Sequence, residues 1–405
     1  MSKILLTSFG SRGDIQPMFV LAQALQQRGH QVLTSASPNF AAWAAELKLD
    51  FCGFGQDFEA WLKQCAHLIT SLKPLEIPKI TATLRQELLA HFKGLHQLAA
   101  DYDQLLVFGA QMAGPSVAEA YAMPCCYITY CPVIYRSRYH PPMPFLQYHY
   151  PQWTYPLLWR LNDFLFNWLA LPALNPFRRE LGLAPIKNLW DHSMQAETIL
   201  AASPLLAPLP RDLAAQSQSG FLRFQSQGEL DADLLAFIQA GPPPVYIGLG
   251  SMVDGDPLQL TQLLIAAIQG AGVRALIATG WAGLTASELP PQIRLIGAVP
   301  HDVLFPLLGG VVHHGGAGTT STAALAGVPQ MALPILLDQY YWGARLSELG
   351  LGPSMIPRLQ LRLENLTQAL QALVSQAAYR QRAQQVAQQM QAEDGVGLTL
   401  ASLGL

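Results

Sequence analysis

Short apolar runs alternate with helix-period segments from Lys3 onward; the alternation breaks off near residue 204 and restarts at Pro244. KILLTSF has the pattern of a buried strand and ends in the turn GSRGD. Ile15, Phe19, Leu21 and Leu25 then recur at near-helical spacing up to Arg28 and Gly29, and a second run, QVLTSAS, follows at once. Residues 3 to 36 therefore read as strand, helix, strand, with a crossover long enough for parallel pairing. QLLVFG (104 to 109) and CCYITY (125 to 130), with a helix-like stretch at 115 to 122, repeat the unit.

The second half has the same grammar. PVYIGLGS, RALIATGW, IRLIGAVP, GGVVHHGG and QMALPIL read as strands, separated by helical segments, the last of them over about 338 to 349. A chain of 405 residues is too long for one core to keep growing, so two domains are expected. The fold class is α/β: two Rossmann-like, doubly wound parallel-sheet domains facing a cleft. Residues 1 to 215 form the first domain, the Gln- and Ser-rich stretch 216 to 240 the link, and 241 to 385 the second domain. Residues 386 to 405 form a closing helix that could pack back on the first domain.

Residues 131 to 177 interrupt the alternation with Pro, Tyr, Trp and Phe. Arg160, Asn162, Asp163 and Asn167 break this stretch, so it fails as a membrane span, which needs about 20 mostly apolar residues. An amphipathic helix is expected there. A cap over the sheet edge and an acceptor-pocket or peripheral membrane-surface role carry equal weight.

The amino terminus lacks a signal-like apolar stretch, which points to a cytoplasmic protein. A net charge of −3 provides no basic field for nucleic acid. Cys52, Cys65, Cys125, Cys126 and Cys131 lack metal-ligand spacing and read as reduced, mostly buried thiols. No metal cluster and no cofactor is expected.

Ligands of open parallel sheets bind beyond the carboxyl ends of the strands. Three loops there carry chemistry: GSRGD (10 to 14), GLGSM (248 to 252) and HHGGAGTT (313 to 320). The third is the strongest. A strand delivers His313 and His314, Gly315, Gly316 and Gly318 allow close backbone approach, and Thr319 and Thr320 open a helix whose free N–H groups favour an anion such as a diphosphate. His314 and Ser251 could add donors, while tight helix–strand packing is the competing explanation of the glycines. G-x-G-x-x-G after the first strand, Walker A, G-x-S-x-G and H-E-x-x-H are all absent, which removes the commonest dinucleotide, P-loop, hydrolase and zinc-protease signals.

The segment 299 to 353, containing HHGGAGTTSTAALAGVPQMALPILLDQYYWG, resembles the donor-binding signature of the inverting glycosyltransferases that include sterol glucosyltransferases and the macrolide and glycopeptide-antibiotic glycosyltransferases. GSRGDIQP and TGWAGL (279 to 284) resemble two further segments of that family. The resemblance implies the GT-B fold, with acceptor on the first domain and nucleotide sugar on the second. It places His314, Gly316, Gly318 and Thr319, with Ser251, on the donor diphosphate, and Asp338 and Gln339 on the sugar hydroxyls. Trp281 either lies near the nucleotide base or plugs the sheet edge, and Val299 is set near the base through its backbone.

By the same resemblance Asp14 is the general base, where plant members carry histidine; capping of the following helix is the competing role. An exposed Asp has a pKa of about 3.9, so the role requires burial. The implied activity is metal-independent, inverting transfer of a hexose, glucose first, from UDP to a hydroxyl of an apolar acceptor such as a sterol-like lipid or a polyketide. A silent nucleotide-sugar-binding protein, or an epimerase or hydrolase of the nucleotide sugar, are the competing functions.

Overall fold

The computed structural model describes residues 1–63, 77–147, 149–226, 228–250, 252, 256–281, 283–285 and 288–405. Its first sheet contains β1 (Lys3–Phe9), β2 (Gln31–Ala36), β3 (Asp50–Gly53), β4 (Gln104–Gly109), β5 (Cys125–Thr129), β6 (Glu197–Leu200) and β7 (Ser217–Gln218), in the order β3-β2-β1-β4-β5-β6-β7. The second contains β8 (Val245–Gly248), β9 (Ala275–Ala278), β10 (Ile293–Ile296), β11 (Gly310–His313) and β12 (Gln330–Ala332), in the order β10-β9-β8-β11-β12. All pairings are parallel; Ile4, for example, faces Val32 on one side and Gln104 on the other.

Strand alternation divides each domain's core in two. Ile4 and Leu6 of β1 enter the cluster that holds the helix Arg12–Gln27, while Leu5 enters the opposite one with Phe92 and Leu174. In the second domain Val245 and Ile247 point to one side and Tyr246 to the other. Both faces are covered, so these strands read as continuous apolar runs rather than alternating ones.

The stretch 216 to 240 is built partly into both halves. β7 closes the first sheet, and the helix Ala232–Gln239 buries Leu234 and Ile238 in the second domain. A shared apolar cluster joins the domains, with Val133, Leu206 and Ala207 against Trp342, Leu346 and Met390. The final helix, Gly395–Ser402, returns to the first domain: Leu400 enters its core, and the hydroxyl of Thr399 donates to Ser219 at 2.7 Å.

The aromatic stretch forms the helix Tyr155–Glu180, which packs Leu158, Trp159, Ala170 and Leu174 inward. No described helix is long and apolar enough to cross a membrane.

Candidate active site

Each sheet reverses its winding once, between β1 and β4 in the first domain and between β8 and β11 in the second. Such switch points open a crevice at the carboxyl ends of the strands. Asp14 sits at the first and His314 at the second.

Asp14 is the third residue of the helix Arg12–Gln27, whose N-cap is Ser11, so the helix starts three residues earlier than a cap at Asp14 itself would require. The Ser11 N–H donates to Asp14 Oδ2 at 2.8 Å, and the Ser11 hydroxyl lies 3.3 Å from the same oxygen. The hydroxyls of Ser8 and Tyr130 donate to the Asp14 carbonyl at 3.1 and 3.0 Å. Glycines form the socket. A Cβ at Gly10 would stand 2.2 Å from Asp14 Oδ2, and one at Gly109 would stand 2.9 Å from Oδ1. Oδ1 has no hydrogen-bond partner among the described residues. Burial pushes the Asp14 carboxyl up to about 7, helped by the negative charge of Asp338 and opposed by the Ser11 hydrogen bonds. One carboxyl group thus holds the helix start with Oδ2 and turns Oδ1 toward Gly109. Arg12 beside it stacks on Trp43, with its guanidinium carbon 4.5 Å from the ring centroid.

His314 lies between two glycines. A Cβ at Gly250 would approach its Cε1 to 2.7 Å and one at Gly316 its Nε2 to 2.5 Å. The ring is held by shape, and its Nδ1 is buried without a partner among the described residues. Burial, with the neighbouring His313 and His301, lowers its pKa to about 3, so the imidazole is neutral and one nitrogen carries a proton to donate.

Gly316 is the extended N-cap of the helix Ala317–Leu325 and supplies no side chain to its first-turn N–H groups. At Gly318 an added Cβ would meet nothing within 4 Å, so space stays open before that helix start. Thr319 follows, half-buried, and the hydroxyl of Thr320 is buried without a partner.

His313 shapes this loop from inside. Its Nδ1 accepts from the Gly315 N–H at 3.0 Å, so Nε2 carries the proton and donates to Gln330 Oε1 at 2.9 Å. The Gln330 amide donates in turn to the Thr320 carbonyl at 3.1 Å.

Asp338 immediately precedes the helix Gln339–Glu348 but does not cap it; its Oδ2 accepts from Trp342 Nε1 at 3.2 Å. Burial raises its pKa to about 6. Gln339 is 4% exposed and its amide is engaged: Oε1 accepts from the Ile335 and Leu336 N–H groups at 2.8 and 3.1 Å, and Nε2 donates to Met252 Sδ at 3.0 Å. In this conformation Gln339 ties the loop that presents Asp338 to the loop after β8. Leu337, just before Asp338, has a φ of +53°, a strained value for a branched side chain.

The Trp281 N–H donates to the Gly250 carbonyl at 3.2 Å, and its ring centroid lies 6.3 Å from that of Phe58 in the first domain. Trp281 therefore comes up to the first domain at Phe58. Val299 packs, half-buried, against the second core. Ser251 lies outside the described residues. No group of three or more His, Cys, Asp or Glu comes together at metal-binding distance among the described residues.

Sequence reasoning missed Gly109 and Tyr130, although both follow apolar runs and the strand-end rule could have found them. His91 gave no such signal. Gln111 is fixed by accepting the Ala113 N–H at 3.3 Å and directs its amide hydrogens to Thr7 and to His91 Nδ1, at 3.1 and 3.2 Å. The proton of neutral His91 is thereby placed on Nε2, which is buried near Gly55 without a partner among the described residues.

Residues 4–139 match the glycosyltransferase family 28 N-terminal domain, and residues 274–395 match the C-terminal domain described as erythromycin biosynthesis protein CIII-like. The vancomycin aglycone glucosyltransferase of Amycolatopsis orientalis is 34% identical over 356 residues, covering 86% of this chain and 85% of that protein. The chain belongs to this family of glycosyltransferases. A sterol 3-beta-glucosyltransferase of Arabidopsis thaliana is 32% identical over 97% of this glycosyltransferase, which spans 66% of that relative's length.

Among solved structures, the kitacinnamycin glycosyltransferase matches with a TM-score of 0.73 at 19% identity, covering 100% of this chain and 99% of the other. A spinosyn rhamnosyltransferase complexed with thymidine diphosphate matches with a TM-score of 0.66 at 19% identity, covering 100% of both chains. At that identity the likeness establishes the GT-B fold of this glycosyltransferase.

Proposed function

We propose that this glycosyltransferase transfers glucose from UDP-glucose to a hydroxyl of an apolar acceptor, with inversion at the anomeric carbon and without a metal ion. The observation that carries this reading is the placement of Asp14 and His314 at the switch points of two sheets that face each other across one cleft. The diphosphate sits on the free N–H groups of the helix Ala317–Leu325, with His314 and Thr319 donating to its oxygens and Gly316 and Gly318 leaving room. Ser251 adds a donor from the loop after β8. Trp281 and Val299 border the uracil.

Oδ1 of ionised Asp14 takes the acceptor hydroxyl proton while that oxygen attacks the anomeric carbon. The bond from that carbon to the phosphate oxygen breaks from the opposite face, and UDP leaves with the electron pair. The helix start and His314 receive the charge that develops on the leaving group. Asp338 accepts from a sugar hydroxyl, and Gln339 contributes by holding the loop that aims Asp338, its amide turning to the sugar only if it releases Ile335 and Leu336.

The names of the relatives support glucose as the sugar, with a vancomycin aglycone and a sterol as their acceptors. The thymidine diphosphate of the spinosyn enzyme makes TDP the nucleotide to compare. The test is turnover of UDP-glucose with a panel of sterols and polyketides, reading product mass and anomeric configuration. A β-glucoside made by wild type and lost in Asp14→Asn supports the reading. Glucose or an epimer released without acceptor refutes it.

A further inference from the structure

The helix Tyr155–Glu180 has two apolar faces, and the described residues cover one. Leu158, Trp159, Ala170 and Leu174 are buried. On the other side Leu157 and Phe164 are 63% and 65% exposed, and Leu161, Leu165 and Trp168 are exposed with them. The spacing from 157 through 161, 164 and 165 to 168 places these five on one continuous stripe. Trp153, 80% exposed in the turn just before, extends it. Among the described residues nothing packs on this second face, and contiguous exposed apolar surface marks a contact.

Charge decides what that contact is. Arg160 is exposed along the edge of the stripe and has no ion-pair partner among the described residues. At its far end the Arg85 guanidinium lies 5.4 Å from the Trp168 ring centroid and donates to the Trp168 carbonyl at 2.6 Å. Asp163, on the same helix, is held away by Arg136 at 3.0 Å. Among the described residues the stripe therefore carries a cationic rim and no free carboxylate. Against a second copy related by a two-fold axis, each Arg160 would face the other's cationic rim. An anionic bilayer surface satisfies both features: Leu and Phe enter the acyl boundary, Trp153 and Trp168 sit at headgroup level at the two ends, and Arg160 meets lipid phosphate.

We propose that the exposed face of Trp153, Leu157, Leu161, Phe164, Leu165 and Trp168, with Arg160 at its edge, docks the first domain onto an anionic membrane surface. The helix lies in the interface and does not span the bilayer. This surface is separate from the UDP site, so docking and UDP binding fail independently.

The test is co-sedimentation of the full chain with phosphatidylcholine vesicles, with and without phosphatidylglycerol. Wild type is expected to sediment with the anionic vesicles, and Leu157→Ser with Phe164→Ser to lose about ten-fold in vesicle affinity while keeping wild-type UDP affinity as the sign of an intact fold. Arg160→Glu is expected to weaken the dependence on phosphatidylglycerol. The proposal is overturned if wild type stays in the supernatant with both vesicle types or if the double variant sediments like wild type. It is equally overturned if wild type is a dimer by sedimentation velocity that the double variant dissolves.

Discussion

Asp14 of the first domain and Asp338 of the second face each other across the cleft closely enough that the charge of Asp338 helps hold the Asp14 carboxyl near 7. The proposed base and the residue proposed for the donor sugar are thus coupled before any ligand binds.

That coupling predicts a pH profile. Only ionised Asp14 can take the acceptor proton, so kcat/KM should rise with pH through about 7 and level off above it. Asp338→Asn removes a negative charge, so the midpoint should move to lower pH, whatever the variant does to the maximal rate. A midpoint that stays put, or moves up, would mean the two carboxylates do not communicate.

Function at Asp14 should cost stability. The folded pKa near 7 lies above the value of about 3.9 in an unfolded chain, so the folded state binds the proton more tightly. The stability this gives is present below pH 4 and lost as pH rises toward 7. Asp14→Asn keeps an oxygen for the Ser11 N–H and removes the buried charge. It should lower kcat by roughly two to four orders of magnitude and raise Tm at pH 8 by roughly 1–3 °C. The gain should shrink at pH 4.5, as differential scanning calorimetry at the two values would show.

Gly316 tests whether His314 is held by shape. Its φ of −70° suits any residue, so Gly316→Ala brings no backbone strain, only a Cβ 2.5 Å from His314 Nε2. UDP affinity should fall about ten-fold through loss of one well-placed donor, with little change in Tm. Wild-type affinity in that variant would show that the ring position does not matter.

If the helix start and His314 carry the diphosphate, EDTA should leave turnover unchanged. Activity that disappears with EDTA and returns with magnesium would place a cation at the phosphates and contradict the account.

Much of this arrangement was legible because parallel strands covered on both faces appear as unbroken apolar runs, which fixes where the strand-end loops fall. The loops that carry Asp14 and His314 were found that way, as was the βαβ order around them, whereas the role expected of Asp14 came from the family resemblance. The bracing of Asp14 was not legible. Gly109 and Tyr130 reach it only because β4 pairs with β1 and β5 with β4, an adjacency set by sheet order across about a hundred residues of chain. The engagement of Gln339 with Ile335, Leu336 and Met252 is a matter of side-chain rotamer, which a strand-end pattern does not encode. The helix Tyr155–Glu180 could be called amphipathic from its periodicity, but it has apolar residues on two sides, and only packing shows which side stays bare.

The most direct test of the central claim, that the loop around His314 holds the donor diphosphate, is calorimetric titration of UDP into wild type and His314→Ala. Micromolar binding to wild type that weakens ten-fold or more in the variant is the predicted result, corresponding to about 1.4 kcal/mol. Equal affinity in the two proteins would contradict it.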